Sequence, residues 1–144
     1  MNNKRIVKVG DIECGSDELF LISGPCVIED EAIMMKTAEH LKKVEEKLNI
    51  PIIYKSSFTK DNRSSLDFYR GPGLDEGLKI LQRVKDEFGF PLLTDIHTPD
   101  QAAPAGEVVD VIQIPAYLCM PVSYTHLRAH ETRSVISYAV FCLK

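Results

Sequence analysis

The sequence lacks the features that define several large protein classes. No run of apolar residues approaches the ~20 that a transmembrane helix needs, and too few apolar residues follow the N-terminus for a signal peptide. The 144 residues carry 17 Lys and Arg against 21 Asp and Glu, so the basic excess of a general nucleic-acid-binding protein is also missing. We therefore expect a cytoplasmic protein that binds neither a membrane nor nucleic acid.

Cysteine spacing and glycine motifs give two further exclusions. The cysteines are widely spaced and form no C-x-x-C pair, which predicts reduced thiols and no disulfide framework. The sequence also has no P-loop and no G-x-G-x-x-G dinucleotide fingerprint. What is present is an ordinary globular composition, with 44% hydrophobic and 26% charged residues. It favours a folded enzyme domain.

Short apolar runs alternate with amphipathic segments along the chain. The predicted strands are residues 19–23, 51–55, 91–95 and 108–114. Apolar residues at steps of 4, 3, 3 and 4 predict helices over residues 30–48 and 74–88, and Thr98-Pro99 begins a short helix. This alternation predicts an α/β fold with parallel strands and crossover helices. A (β/α)8 barrel and a doubly wound sheet both fit it.

Two of the predicted strands end in a charged residue. Lys55 and Asp95 each lie four residues after a proline, in segments that resemble one another closely. Active sites of (β/α)8 barrels lie at the carboxyl ends of the strands. We therefore expect the chemistry of this protein near Lys55 and Asp95.

A cationic segment follows the second predicted strand. Lys55, Lys60, Arg63 and Arg70 fall within sixteen residues of an acidic chain, and four serines and an asparagine lie between them. Guanidinium, ammonium and hydroxyl groups together are what phosphate and carboxylate recognition requires. The segment lacks the interleaved aromatic residues that single-stranded nucleic acids favour. It indicates a small polyanionic substrate, and the alternative is a solvated polar loop.

Two shorter motifs leave alternatives open. Cys26, in the turn after the first strand, is either a ligand for a soft or borderline metal or an unreactive buried thiol. Asp95, in the motif Asp95-Ile96-His97, either orders a hydroxyl or a metal-bound water or belongs to a cap at the strand end.

Five motifs, taken in order, resemble the 3-deoxy-D-manno-octulosonate-8-phosphate (Kdo8P) synthases, also called 2-dehydro-3-deoxyphosphooctonate aldolases. They are residues 24–29, 54–65, 70–74, 93–97 and 113–119. The resemblance covers residues 5–119. The related 3-deoxy-arabino-heptulosonate-phosphate synthases share the barrel and a Gly-Pro-Cys, but they lack the Lys-Ser-Ser-Phe…Asn-Arg-Ser-Ser segment. They are therefore the alternative family for this chain.

The resemblance implies a (β/α)8 TIM barrel, of which this chain is about the first half. It implies condensation of phosphoenolpyruvate with D-arabinose 5-phosphate and water, releasing phosphate, in lipopolysaccharide biosynthesis. Implied catalytic residues are Lys55, Lys60 and Asp95. Implied substrate-binding residues are Ser57, Asn62, Arg63, Ser64, Gln113, Pro115 and Ala116. A non-catalytic phosphosugar-binding fragment remains an alternative.

The same resemblance implies a divalent metal and a homo-oligomer. Cys26 occupies the position where metal-dependent members have Cys and metal-independent members have Asn. The other ligands, a His, a Glu and an Asp, come from later strands in the family, so we expect an incomplete metal site here. On its own the chain is expected to be inactive.

The last 25 residues carry none of the motifs on which this resemblance rests. We expect residues 1–119 to be the barrel portion and residues 120–144 to be an unrelated tail, produced by a sequencing or assembly error. His126 and His130 with Glu131 have the spacing of zinc ligands but no supporting third ligand, so the tail predicts no site.

Overall fold

The computed structural model describes residues 6–60 and 69–115 and the backbone of residues 139–142. In chain order the elements are β1 (Val7–Val9), β2 (Ile12–Cys14), β3 (Leu21–Ser23), α1 (Glu31–Leu48), β4 (Ile52–Lys55), α2 (Leu74–Phe88), β5 (Leu92–Asp95), a short 3-10 turn (Pro99–Gln101), α3 (Ala102–Val108), β6 (Val111–Ile114) and β7 (Ala139–Cys142). No helix in this part of the chain combines the length and apolarity needed to cross a membrane.

The main sheet contains five strands in the order β3-β4-β5-β6-β7. The pairs from β3 to β6 are parallel, and β7 is antiparallel to β6. The parallel strands therefore follow one another in chain order without reversal, whereas a doubly wound sheet reverses its order at a switch point. This α/β arrangement with a parallel sheet fits the TIM-barrel family.

Alternating residues of the strands contribute to two separate cores. On β4, Ile52 and Tyr54 pack with the buried residues of all three helices, and Ile53 faces the other side of the sheet. There it packs with Leu93, Val111 and the β1–β2 hairpin. Because side chains alternate across a strand, one face carries the helices and the other the hairpin. A doubly wound sheet would carry helices on both faces.

The amphipathic spacing predicts both long helices closely. For α1, the carboxylate of Asp30 accepts a 2.8 Å hydrogen bond from the backbone N–H of Ile33 and so caps the first turn. Its buried residues are Met34, Ala38 and Leu41, three of the five that defined the predicted stripe. Helix α2 has the predicted bounds, Leu74–Phe88.

The prediction of a strand over residues 108–114 is wrong at its start. Val108 is the last residue of α3, and β6 begins only at Val111. The reason is the carboxylate of Asp110, which accepts hydrogen bonds from the backbone N–H of Leu92 at 2.8 Å and from the Lys85 ammonium at 2.9 Å. These bonds fix a turn where the valine-rich sequence predicts extended chain.

The structure also contains strands that the sequence did not predict. These are the β1–β2 hairpin and β7. The predicted boundary between residues 119 and 120 lies outside the described residues, so the division into a barrel portion and an unrelated tail stays a prediction. Of the tail, only the backbone pairing of β7 with β6 is described.

Candidate active site at the carboxyl ends of the parallel strands

Three polar side chains lie at the carboxyl ends of neighbouring strands. Lys55 is the last residue of β4, and Asp95 is the last residue of β5, as the spacing after the two prolines predicts. Gln113 pairs with Asp95 in the register of β5 and β6, and its carbonyl accepts a 3.0 Å hydrogen bond from the N–H of Ile96. Parallel strands thus bring these residues to one edge of the sheet.

The cationic segment begins directly beyond β4. The ammonium of Lys60 donates a 2.9 Å hydrogen bond to Ser57 Oγ, which fixes the lysine beside a buried hydroxyl. The backbone N–H of Lys60 donates to the carbonyl of Arg70 at 2.8 Å, and the N–H of Gly73 donates to the carbonyl of Phe58 at 3.1 Å. The backbone around Lys60 is therefore hydrogen-bonded to the segment that leads into α2.

The turn after β3 lies along the same edge. Val27 forms a parallel bridge with Ser57, and the N–H of Ile28 donates to the Ser57 carbonyl at 3.0 Å. Gly24 approaches the backbone of Lys55 so closely that a Cβ atom at Gly24 would overlap the Lys55 carbonyl oxygen. Cys26, between these contacts, is exposed, so the prediction that its thiol is buried is wrong.

Asp95 and His97 form a buried pair. Oδ2 of Asp95 lies 3.1 Å from Nε2 of His97, and the two side chains are 7% and 5% exposed. Among the residues that the structure describes, Oδ1 of Asp95 is buried without a hydrogen-bond partner. The adjacent strands are locked together here, because Thr94 Oγ1 donates a 2.8 Å hydrogen bond to the carbonyl of Ser56. Oδ1 is therefore a buried acceptor that no described residue pairs with.

The surroundings of Asp95 determine its charge. Burial by itself raises the pKa of this carboxyl, while hydrogen bonds from His97 and Ser57 and the positive charges of Lys55 and Lys60 lower it. The net effect is a pKa below the ordinary value. Asp95 is thus an anion at neutral pH and can act only as an acceptor.

This edge offers two kinds of chemistry side by side. The ammonium groups of Lys55 and Lys60 suit an anionic ligand group, such as a phosphate or carboxylate. The ionised Asp95 suits a hydroxyl or a water that donates to its unpaired oxygen. A ligand that carries both an acidic group and hydroxyls would satisfy both sets of residues.

The structure places some of the predicted site residues and leaves others out. Lys55, Ser57, Lys60, Asp95 and Gln113 meet at the strand ends, and Pro115 is buried just beyond β6. Four predicted residues lie outside the described ranges: Asn62, Arg63, Ser64 and Ala116.

Sequence reasoning missed two contributions to the site. The contact of His97 with Asp95 was signalled by the Asp-x-His motif, although no role was assigned to the histidine. The hydrogen bond from Thr94 to Ser56 has no sequence signal, because it joins two strands.

The described residues do not complete a metal site. Within residues 6–60 and 69–115, no three His, Cys, Asp or Glu side chains are grouped so that they could hold a metal ion. Cys26 is a single candidate thiolate ligand, and borderline metals need several protein ligands.

Together, the parallel strands β3 to β6 and the cationic strand ends with their buried carboxylate fit an α/β protein of the TIM-barrel type with a candidate site at these strand ends. The sequence model of the DAHP synthetase I family matches residues 2–136, and the chain belongs to this family. The resemblance inferred from the motifs is likewise confirmed by curated relatives.

Three of these relatives are named 2-dehydro-3-deoxyphosphooctonate aldolase. The protein of Koribacter versatilis is 56% identical over 112 residues, which are 78% of this chain and 40% of the relative. That of Protochlamydia amoebophila is 49% identical over 135 residues, 93% of this chain and 48% of the relative. That of Campylobacter jejuni strain RM1221 is 59% identical over 102 residues, 71% and 38% respectively. The chain thus spans about two-fifths to one-half of the length of the curated relatives it matches.

Proposed function

We propose that this chain carries the first substrate-binding portion of a 2-dehydro-3-deoxyphosphooctonate aldolase. The reaction condenses phosphoenolpyruvate with D-arabinose 5-phosphate and water, giving 3-deoxy-D-manno-octulosonate 8-phosphate and phosphate. The observation that carries the proposal is the convergence of Lys55, Lys60 and Asp95 at the ends of β4 and β5. The names of the relatives support it.

The cations would serve phosphoenolpyruvate. Lys60, held by Ser57, would bind its anionic groups, and Lys55 would stand at the reacting centre. Two phosphorylated substrates repel each other, and fixed ammonium groups offset that repulsion and stabilise charge that develops in the transition state. These groups are positioned before the ligand arrives, so little reorganisation is needed.

The carboxylate and the segment after Lys60 would serve the sugar. Asp95 would accept a hydrogen bond from a sugar hydroxyl or from the attacking water through its unpaired Oδ1. Asn62, Arg63 and Ser64 would bind the pentose phosphate, with Arg63 and Ser64 at its phosphoryl group. The remaining predicted residues would line the site; they are Gln113, Pro115 and Ala116.

The proposal includes a divalent metal and a larger assembly. Cys26 would contribute one thiolate, and the other ligands would come from parts of a longer protein. We infer that the described sheet is about the first half of a (β/α)8 barrel, because the chain matches about two-fifths to one-half of its relatives' length. By itself the chain is then inactive. We also propose that the protein is cytoplasmic and homo-oligomeric.

A chimaera tests this function directly. The 112-residue segment of the Koribacter versatilis protein that aligns with this chain would be replaced by the matching segment of this chain. We expect release of phosphate from phosphoenolpyruvate that depends on arabinose 5-phosphate. A second chimaera with Lys60→Met should fold but lose that activity, since the charge-assisted contact to the substrate is removed.

The same assay separates the alternatives. Turnover with erythrose 4-phosphate in preference to arabinose 5-phosphate would identify a heptulosonate-phosphate synthase instead. A folded chimaera that binds the phosphosugar in calorimetry without turnover would support a non-catalytic binding module. Release of phosphate by the unmodified 144-residue chain would refute the inference that it is inactive alone.

A further inference from the structure

His97 is the one buried titratable side chain in the described part of the site to which the proposed function gives no task. It lies two residues beyond the end of β5, and 5% of its side chain is exposed. Its ring is tilted against that of Phe58, with centroids 6.4 Å apart. Its Nε2 atom lies 3.1 Å from Asp95 Oδ2. A histidine held in this way affects the carboxylate beside it.

The backbone around His97 is fixed by a separate set of hydrogen bonds. Its N–H donates to the side-chain oxygen of Gln101 at 2.8 Å. Thr98 and Gln101 form a reciprocal capping box at the start of the following 3-10 turn. The backbone that carries the imidazole is therefore held by the chain that follows β5.

We propose that His97 is a positioning residue that donates Nε2–H to Asp95 Oδ2, so that the carboxylate stays ionised and its Oδ1 is presented to a ligand hydroxyl or water. The bond uses one oxygen of the carboxylate and thereby fixes the plane in which the other lies. The inference rests on the proposed function for the nature of the ligand, but the state of Asp95 does not depend on it.

The other groups that face Asp95 decide whether the shared proton lies on His97 Nε2 or on the carboxyl. If the carboxyl carried the proton, Nε2 would be the acceptor. Lys55 and Lys60 bring positive charge to this carboxyl, and the neighbouring Ser57 hydroxyl also favours its ionised form. All three favour the anion, and an anionic carboxylate requires the donor to be the imidazole. The buried pair is thus set as Asp95 carboxylate with Nε2-protonated His97.

Nuclear magnetic resonance on the intact chain tests the inference without any ligand. In the wild type, nitrogen-15 spectra should show Nε2 of His97 protonated at neutral pH. The carbon-13 titration of the Asp95 carboxyl should move up by about one pH unit in His97→Leu. It should stay near the wild-type position in His97→Gln, whose amide can still donate. A purely structural role would not make the titration depend on the donor.

Calorimetry with arabinose 5-phosphate adds the functional readout. We expect about tenfold weaker binding in His97→Leu and recovery to within about threefold in His97→Gln. A neutral imidazole protonated only at Nδ1 in the wild type would overturn the inference even if both variants failed to fold. So would a folded His97→Leu variant with an unchanged Asp95 titration. If no form binds the sugar phosphate, the proposed function fails in this chain, while the titration still decides the role of His97.

Discussion

Replacement of Gly24 by Ala should disrupt the junction between β3 and the site. Gly24 has φ +154, a backbone conformation that residues with a side chain rarely adopt. A Cβ atom would lie 3.0 Å from the Lys55 carbonyl carbon and 3.1 Å from its nitrogen, and it would overlap the carbonyl oxygen. The obstructing atoms belong to the backbone of Lys55 and cannot rotate away, and an interior packed at native density has no room for the methyl group. The backbone segments around Gly24 and Lys55 must therefore separate by about 1 Å.

Two costs combine in this variant. Backbone strain at such a φ costs about 1–3 kcal/mol, and overpacking against an unyielding neighbour adds about 1–3 kcal/mol. A loss of about 2–6 kcal/mol is a large part of the 5–15 kcal/mol that stabilises a typical domain. The displacement also moves Lys55, so we expect weaker binding of phosphoenolpyruvate wherever the variant still folds.

Gly89→Ala is the matched control. Gly89 also has a positive φ, +71, but nothing lies within 4 Å of the Cβ position there. It ends α2 in the left-handed conformation, and Ala should cost only about 1 kcal/mol at such a site. Urea denaturation of both variants gives their midpoints. If the m-values are equal, the difference between the midpoints measures the cost of the clash at Gly24. If Gly24→Ala destabilises the chain no more than Gly89→Ala, the close approach to Lys55 is refuted.

Three further predictions concern the site and its support. Lys60→Met should weaken phosphoenolpyruvate binding in calorimetry by about 10–100-fold, because a charge-assisted hydrogen bond is lost, whereas Lys79→Met on the exposed face of α2 should bind like the wild type. Asp110→Ala should lower the free energy of unfolding by about 2–3 kcal/mol through the loss of its lysine partner and a backbone amide; equality with exposed Asp11→Ala in urea would contradict the turn described above. The folded-state pKa of Asp95 is lowered, so its contribution to stability is present above the ordinary carboxyl value of ~3.9 and is lost as the pH falls through the lower folded value. The stability difference between wild type and Asp95→Asn should therefore shrink as the pH falls below ~3.9, and a difference independent of pH would show that the folded-state pKa of Asp95 is not lowered.

The residues that sequence reasoning located correctly are those whose structure depends on local pattern. The apolar stripe of α2 repeats with helical periodicity from Leu74 to Phe88, and Gly89 in the left-handed conformation ends the helix. Lys55 and Asp95 were found at strand ends because a helix end, a proline and two strand-forming residues precede each of them. In these cases neighbouring residues along the chain carry the whole signal.

The features that were missed depend on contacts between distant residues. Val108 reads as the start of a strand, yet Asp110 binds Lys85 and Leu92, which lie 25 and 18 residues away in sequence. The preference of valine for strands is overridden by these bonds. The antiparallel pairing of β7 also has no local cause in the residues of β6.

The two chemical parts of the candidate site rest on different supports. The position of the Lys60 ammonium depends on its hydrogen bond to Ser57 and on backbone hydrogen bonds to the segment that leads into α2. The carboxylate of Asp95 depends on His97, whose backbone is fixed by the capping box beyond β5. Disruption at the start of α2 should therefore weaken anion binding more than it shifts the titration of Asp95, while loss of the Gln101 side chain should do the reverse. Because Ser57 and the charge of Lys60 also act on Asp95, the effects of one variant from each group on stability should be coupled and not additive.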